Sequence, residues 1–275
     1  MSAGAAAVLV FNDGSPGHEG PLEATLTRPA DIPALALAND VGEELAAQAA
    51  QGAVRMQVTT NVETVQREAA NVLADLAGVE DVAPLLLGAH LDSVASGPGL
   101  NDNGSGVAAL LEIAEQARSL RFRPQHPVRF AFWAAEEAGL VGSTRYVASL
   151  GGEPETAIAA VVNLDMLGSP NAESFVYEGD ATIEEALTQA VGREGLTPLP
   201  VDLQGSSDHA PFAEAGIPVG GLFTGADDLG SDSRPHDACY HQACDTLENV
   251  DVETLEQMTD ALAVAVFGRL TSAHW

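Results

Sequence analysis

Three continuous apolar runs, separated by stretches with helical periodicity, constrain the fold of this chain more than any other feature. They read APLLLGAH, PVRFAFWAAEE and IAAVVNLD, and the first begins shortly after Val82. Short runs without polar alternation are typical of strands that are buried on both faces of a sheet. Between the first two runs, apolar residues recur at helical spacing from about Ser105 to Leu120, which predicts a helix. Strands that alternate with helices indicate an α/β fold of three layers, αβα, with a mostly parallel, mixed central sheet.

The same alternation continues toward the C-terminus. The pattern predicts a helix in GSTRYVASL and another near Thr182 to Val191. A strand near Pro218 to Phe223 and a final helix near Val252 to Leu270 complete the set.

The first part of the chain has a different character. We predict strands at Ala5 to Phe11 and Ile32 to Ala36, then an amphipathic helix that opens at Asn39 or the next residue. Two strand-like stretches follow, around Ala53 to Thr59 and Ala70 to Leu76. Since no cluster of metal-ligand or catalytic residue types precedes position 53, we interpret this βα segment as a separate module or as part of one.

The charge of the chain excludes several classes of partner. It has 40 acidic and 11 basic residues, a net charge of −29, and every basic residue is an arginine. So acidic a surface repels nucleic acids and anionic membranes, and we expect neither as a partner. The acidity fits either a well-hydrated surface or adaptation to high salt, in which screening reduces self-repulsion. The opening residues show neither a secretory signal nor an apolar run long enough to span a bilayer.

Residues of metal-ligand type follow all three apolar runs. The first run ends at His90, with Asp92 close behind, the second ends at Glu136 and Glu137, and the third ends at Asp165. One such residue usually marks only the point where a strand leaves the core. Because ligands bind beyond the carboxyl ends of strands in sheets of this kind, three together predict a metal site there.

Further candidates lie in three loops. Asp102 is the only ionisable residue of GPGLNDNGSG. It fits a helix cap or an Asx turn, roles its neighbours could fill equally well, or a carboxylate shared by two metals. SSDHAPF and CYHQACDT supply His209 and His241. The latter lies between Cys239 and Cys244, which could form a disulfide or remain free thiols.

The residue types match a site for two zinc ions. Zinc binds imidazole nitrogen and carboxylate oxygen, and two ions require two histidines, one shared carboxylate and one further carboxylate each. The predicted metal ligands are His90, Asp102, Glu137, Asp165 and His241. Glu136 then remains as a general base.

The motifs resemble those of the di-zinc aminopeptidases of metallopeptidase family 28, the leucyl aminopeptidase and aminopeptidase Y group. HLDS, GPGLNDNGSG, FWAAEEAGLVGS, NLDMLGS, GSSDHAPF and CYHQACDT occur in the family's order from about Asn71 to the C-terminus. The resemblance implies a zinc exopeptidase-like fold and two Zn²⁺ ions, one held by His90 and Asp165 and the other by Glu137 and His241. Asp102 would bridge the two ions, with Glu136 as the base.

The resemblance implies further roles. The carboxylate of Asp92 would orient His90, and Tyr240 would hydrogen-bond the developing oxyanion. Cys239 and Cys244 would form a disulfide, which implies an exported protein, extracellular or at the cell surface. Where some relatives carry an arginine that helps to hold the substrate carbonyl, this chain has Ser206.

The resemblance also suggests how the chain is organised. Residues 1–60 resemble the latter half of a protease-associated (PA) domain, and residues 61–275 resemble the peptidase domain without its first helix and strand. We therefore expect a longer natural precursor.

The predicted function is that of an aminopeptidase acting on peptides with a free, apolar N-terminal residue. The nearest alternative is a carboxypeptidase of the glutamate carboxypeptidase type. A single-zinc glutaminyl cyclase and a receptor-like binding module without metals are further alternatives on the same fold.

The high-salt interpretation predicts a response to ionic strength. We expect the melting temperature to rise from low to molar salt, because screening weakens the repulsion within a chain of net charge −29. Thermal unfolding followed by circular dichroism measures this. A melting temperature that stays flat or falls would contradict the halophilic interpretation without affecting the predicted site.

Overall fold

The computed structural model describes residues 4–14, 20–21, 30–63 and 65–272. The chain divides into two compact units, Met1–Glu68 and Ala69–Trp275. Among the described residues, no helix is long and apolar enough to cross a bilayer. The domain boundary at residue 60 and the assignment of the preceding segment to a PA domain stay predictions.

The first unit contains a small βα assembly. Strands β1 (Val8–Phe11) and β2 (Ala34–Leu37) pair in parallel, and helix α1 (Asn39–Gln51) begins at the predicted residue. The strand predicted for Ala53 to Thr59 is wrong, because this stretch has no regular secondary structure and is mostly exposed. Its valines and threonines favour an extended chain, but strand formation depends on packing against a partner, and no described strand pairs with it.

The second unit is built on a seven-stranded sheet. Its strands are β3 (Val72–Leu76), β4 (Leu85–His90), β5 (Val128–Trp133), β6 (Ala160–Leu164), β7 (Ser174–Tyr177), β8 (Pro198–Val201) and β9 (Val219–Phe223). They lie in the order β3-β5-β4-β6-β9-β7-β8. The central strands β5, β4, β6 and β9 are parallel, whereas β3 and β7 run antiparallel to their neighbours β5 and β9. The predicted mostly parallel, mixed sheet is therefore confirmed.

Helices cover both faces of this sheet. They are α2 (Gly104–Ser119), α3 (Val141–Ser149), α4 (Pro154–Ala157), α5 (Ala181–Arg193), α6 (Ala210–Glu214) and α7 (Val252–Gly268), with 3-10 turns at Leu247–Asn249 and Leu270–Ser272. Leu85 and Leu87 of β4 pack in one core with residues of α2, α5 and α7. Leu86, on the opposite face, packs with Tyr146 of α3 and Phe212 of α6. Since the side chains of a strand alternate between faces, two separate cores confirm the three-layer architecture.

Two strands beyond β6 escape sequence-based prediction. β7 has only four residues, and β8, also of four residues, contains Pro198 and Pro200. Proline cannot donate to a ladder and is tolerated at the edge of a sheet, where β8 lies. The short lengths and the prolines hide both strands from periodicity.

Candidate metal centre

The carboxyl ends of three adjacent strands form the floor of the site. His90, the last residue of β4, pairs in register with Trp133, the last residue of β5. Glu136 and Glu137 follow β5 after a short turn, and Asp165 directly follows β6. The parallel pairing of β4 with both neighbours brings these ends to the same edge of the sheet.

Asp102 lies between the two predicted histidine ligands. Its Oδ1 is 3.2 Å from Nε2 of His90, and its Oδ2 is 3.2 Å from Nε2 of His241. The helix-cap alternative is excluded, because the side chain of Asn103 accepts the hydrogen bond from Gly106 N at the start of α2. The peptide bond between Asp102 and Asn103 is cis.

Each histidine faces a second carboxylate. Nε2 of His90 is 3.4 Å from Oδ1 of Asp165, and Nε2 of His241 is 3.2 Å from Oε2 of Glu137. The result is two groups of one histidine and two carboxylates, joined through the opposite oxygens of Asp102. In each group the ligand atoms lie within 4.8 Å of one another. The structure thus brings all five predicted ligands together.

The donor set fits divalent cations. Oδ1 of Asp165 is buried without a hydrogen bond of ordinary geometry, and Nε2 of His90 lies 3.4 Å from it. A buried carboxylate normally requires a cation or several donors. Nitrogen and oxygen ligands in sets of three, with a position left for water, are typical of catalytic zinc.

Contacts among the candidate ligands shift their pKa values. Burial lowers the pKa of His241, but the hydrogen bonds to Asp102 and Glu137 outweigh it and raise that pKa to about 10. The two histidines likewise overcome burial at Asp102 and hold its pKa at about 2. Because metal ligands must be deprotonated, cation binding would displace protons from these imidazoles.

Asp92 contacts His90 through its backbone carbonyl and the turn of Glu136 and Glu137 through its carboxylate, which refines its predicted role. Its backbone carbonyl oxygen accepts the hydrogen bond from Nδ1 of His90 at 3.0 Å, whereas its carboxylate is 4.0 Å from that nitrogen. The carboxylate instead accepts from the backbone N–H groups of Glu136 and Glu137, at 3.0 and 3.2 Å. The carbonyl contact directs Nε2 of His90 toward Asp102. The carboxylate holds the turn that carries both glutamates.

A chain of hydrogen bonds supports Asp165. Nδ2 of Asn163 donates to Oγ of Ser207 at 2.8 Å, and Ser207 donates to Oδ2 of Asp165 at 2.7 Å. The motif GSSDHAPF draws attention to Ser206 and His209, but no sequence pattern marks Ser207. His209 is in neither metal-ligand group and packs edge-on against Tyr177 at 5.0 Å.

Left-handed backbone conformations accumulate beside the ligands. Ala135, Met166 and His241 have positive φ values of 58°, 48° and 56°. Non-glycine residues hold such conformations only where surrounding structure imposes them, and they cluster at functional sites. Ala135 directly precedes Glu136, Met166 directly follows Asp165, and His241 is itself a predicted ligand.

The loop around His241 is closed by the predicted disulfide. Cys239 and Cys244 are bonded, which confirms that pairing. Within the loop, the ring of Tyr240 stacks on His241 with centroids 3.9 Å apart. Burial, together with nearby Asp102 and Asp165, raises the pKa of Tyr240, so its hydroxyl remains a proton donor at neutral pH.

Glu136 lies beside both groups and belongs to neither of the two that share Asp102. It is 9% exposed. Burial raises its pKa to about 9, with Asp165 and Asp208 adding to the shift against the opposing effect of His90. A carboxyl group with so high a pKa is a strong proton acceptor once it is ionised.

Known proteins resemble this chain over most of its length. Residues 71–266 match the model of peptidase family M28. "Leupeptin-inactivating enzyme 1" of Streptomyces exfoliatus is 42% identical over 223 residues, 76% of this chain and 51% of that protein. An aminopeptidase of Pseudomonas aeruginosa is 37% identical over 288 aligned positions, 95% of this chain and 53% of that protein. The chain therefore spans about half the length of the curated relatives it matches.

Solved structures show the same likeness. The aminopeptidase from Aneurinibacillus sp. strain AM-1 superimposes with a TM-score of 0.75 at 28% identity, covering 97% of this chain and 64% of the other. BSAP, a zinc aminopeptidase from Bacillus subtilis, gives a TM-score of 0.70 at 29% identity, covering 99% of this chain and 66% of the other.

Proposed function

We propose, since the chain belongs to peptidase family M28, that it is a metal-dependent aminopeptidase that uses two zinc ions to hydrolyse the N-terminal peptide bond of peptides. The observation that carries the proposal is the position of Asp102 between His90 and His241, with one further carboxylate on each histidine. Relatives and solved structures named as aminopeptidases support the activity.

Each residue then has a defined task. His90, Asp165 and one oxygen of Asp102 would hold one ion, and His241, Glu137 and the other oxygen of Asp102 would hold the second. When bound, two zinc ions activate a water molecule and polarise the substrate carbonyl.

Glu136 would move the proton. Its carboxylate would accept the proton of the attacking water and deliver it to the leaving amine. The carboxylate of Asp92 accepts hydrogen bonds from the backbone N–H groups of Glu136 and Glu137, and so fixes the base Glu136 and the ligand Glu137 relative to each other. Tyr240, protonated and stacked on His241, would donate a hydrogen bond to the carbonyl oxygen as negative charge develops there.

The apolar surroundings support a preference for apolar N-terminal residues. Met166, which follows Asp165, belongs to a buried cluster with Phe223, and Tyr240, next to His241, packs against that cluster. A pocket of about 400 Å³ adjoins it, with walls that include Phe175, Phe223 and Leu203. An apolar side chain bound there would leave water, a gain of about 25 cal/mol per Å² buried.

Two alternatives fit less well. A carboxypeptidase needs a cation for the terminal carboxylate, preferably arginine. Arg234, the basic residue of the loop before Tyr240, is 72% exposed and pairs with Asp232. A receptor-like module without metals would have no need of five converging ligands and a buried base. The disulfide between Cys239 and Cys244 supports an exported protein, since such bonds persist in oxidising compartments.

The adjacent glutamates allow a matched test of the base. We expect Glu136→Gln to keep zinc close to two equivalents while its turnover of a leucyl anilide falls by about 10²–10⁴, because the amide cannot accept the proton. Glu137→Gln makes the same chemical change one residue away and should lose zinc from the His241 group. Metal analysis and kcat measurements on both variants show which glutamate is the base and which is the ligand. Zinc loss in the first variant with retention in the second would reverse the two roles.

The free amine of the substrate allows a second test. A peptide's α-amine is positively charged below a pKa of about 8. We propose that the carboxylates of Glu136 and Asp165 recognise it. We expect leucyl anilide and unblocked leucyl peptides to be hydrolysed and their N-acetylated forms to be inert, as chromatography of the products would show. Efficient release of a C-terminal residue from an acetylated peptide would favour the carboxypeptidase instead.

A further inference from the structure

Two buried aspartates outside the metal-ligand set surround the residue that precedes Asp102. Asp237 and Asp245 are 0% and 1% exposed. The residue they surround is Asn101, which is 0% exposed. Neither aspartate has a role in the chemistry proposed above. Both contact Asn101, and both flank the disulfide loop that carries His241.

Asp245 binds the backbone of the Asp102 loop with both oxygens. Oδ1 accepts from Asn101 N at 2.8 Å, and Oδ2 accepts from Asp102 N at 3.1 Å. The backbone carbonyl of Asp245 accepts from Leu100 N at 3.2 Å. Three successive N–H groups of this loop therefore end on one residue, which directly follows Cys244.

Asp237 holds the same loop by its side chain. Its Oδ2 accepts from Nδ2 of Asn101 at 2.7 Å, and its Oδ1 accepts from Cys239 N at 2.8 Å. Nδ2 of Asn249 also donates to both oxygens at 3.0 Å. The carboxylate of Asp237 thus joins Asn101, in the loop before Asp102, to Cys239 of the disulfide.

These contacts do not serve ordinary secondary structure. Elsewhere in the chain, Asp180 and Asp251 accept backbone N–H groups in the first turns of α5 and α7, as helix caps do. The N–H groups bound by Asp245 belong instead to a loop that lies before α2, and α2 is capped by Asn103. Asp237 and Asp245 instead join the loop of Asp102 to the loop of His241.

We infer that Asp245, assisted by Asp237, is a positioning residue that fixes the shared carboxylate of Asp102 relative to His241, and so builds the second of the two metal positions. The inference rests on the proposed two-zinc function. His90 and Asp165 are held by the ends of β4 and β6, so their group keeps two ligands on the sheet. The other group takes Asp102 and His241 from the two loops that Asp245 joins.

The test is zinc titration of the metal-free full chain by calorimetry, with wild type and three isosteric variants. In Asp245→Asn, an NH₂ group replaces one of the two carboxylate oxygens, so one backbone N–H donor loses its acceptor. The amide oxygen that remains is a weaker acceptor for the other N–H group. We expect the second zinc equivalent to bind about 10–100-fold more weakly, the usual effect of losing an outer-shell partner, while the first changes far less. Asp237→Asn should weaken the same equivalent and carries the test if Asp245→Asn does not fold.

Asp180→Asn is the matched control, because Asp180 also accepts two backbone N–H groups but contacts no residue of the metal centre. It should bind both equivalents as wild type does. Wild-type affinity for both equivalents in Asp245→Asn, or equal weakening of both, would overturn the inference, since general destabilisation does not select one site. Failure of the proposed function would appear in wild type alone, as fewer than two equivalents or no hydrolysis of leucyl anilide.

Discussion

The site depends on one buried carboxylate that two histidines share. Asp102 is 4% exposed, and each of its oxygens faces a different imidazole at 3.2 Å. Around it, Glu136, Glu137 and Asp165 crowd three more carboxylates into the same space. Burying so much like charge is unfavourable unless positive charge neutralises it. Burial, with a smaller effect of neighbouring carboxylates, raises the pKa of Glu136, and hydrogen bonds to Asp102 and Glu137 raise the pKa of His241 despite its burial. Two divalent cations would supply the positive charge that this cluster of carboxylates requires.

The rest of the fold provides this carboxylate with rigid neighbours. The fully buried strand β4 ends at His90, and β6 ends next to Asp165, so two predicted ligands lie at the ends of buried strands in the middle of the sheet. The remaining predicted ligands come from loops, and carboxylates outside the predicted ligand set hold these loops by hydrogen bonds. Asp92 holds the turn of Glu136 and Glu137, and Asp245 holds the backbone of Asp102. Acidic residues therefore both form the centre and fix its geometry.

Sequence alone predicts five of the seven strands of the sheet and the residue types at the ends of three of them, because both follow from short-range pattern. Uniform apolar runs mark the buried strands, and a polar residue at the end of each run marks where ligands converge. It does not predict Ser207 or Asp245, because their roles come from hydrogen bonds to Asp165 and to the Asp102 loop across 42 and 143 residues of chain. The family resemblance implies that the carboxylate of Asp92 orients His90, whereas the backbone carbonyl of Asp92 makes that hydrogen bond. Strand β8 is hidden by its prolines, which only an edge position tolerates.

Anomalous diffraction at the zinc edge from crystals of the zinc-loaded protein tests most directly whether Asp102 bridges two metals. Two peaks are expected, one on each side of the Asp102 carboxylate and about 3.5–4 Å apart, the separation typical of paired catalytic metals. One should lie against His90 and Asp165, and the other against His241 and Glu137. A single peak at full zinc occupancy, or a second peak away from Asp102, would contradict the shared carboxylate and the two-metal mechanism built on it.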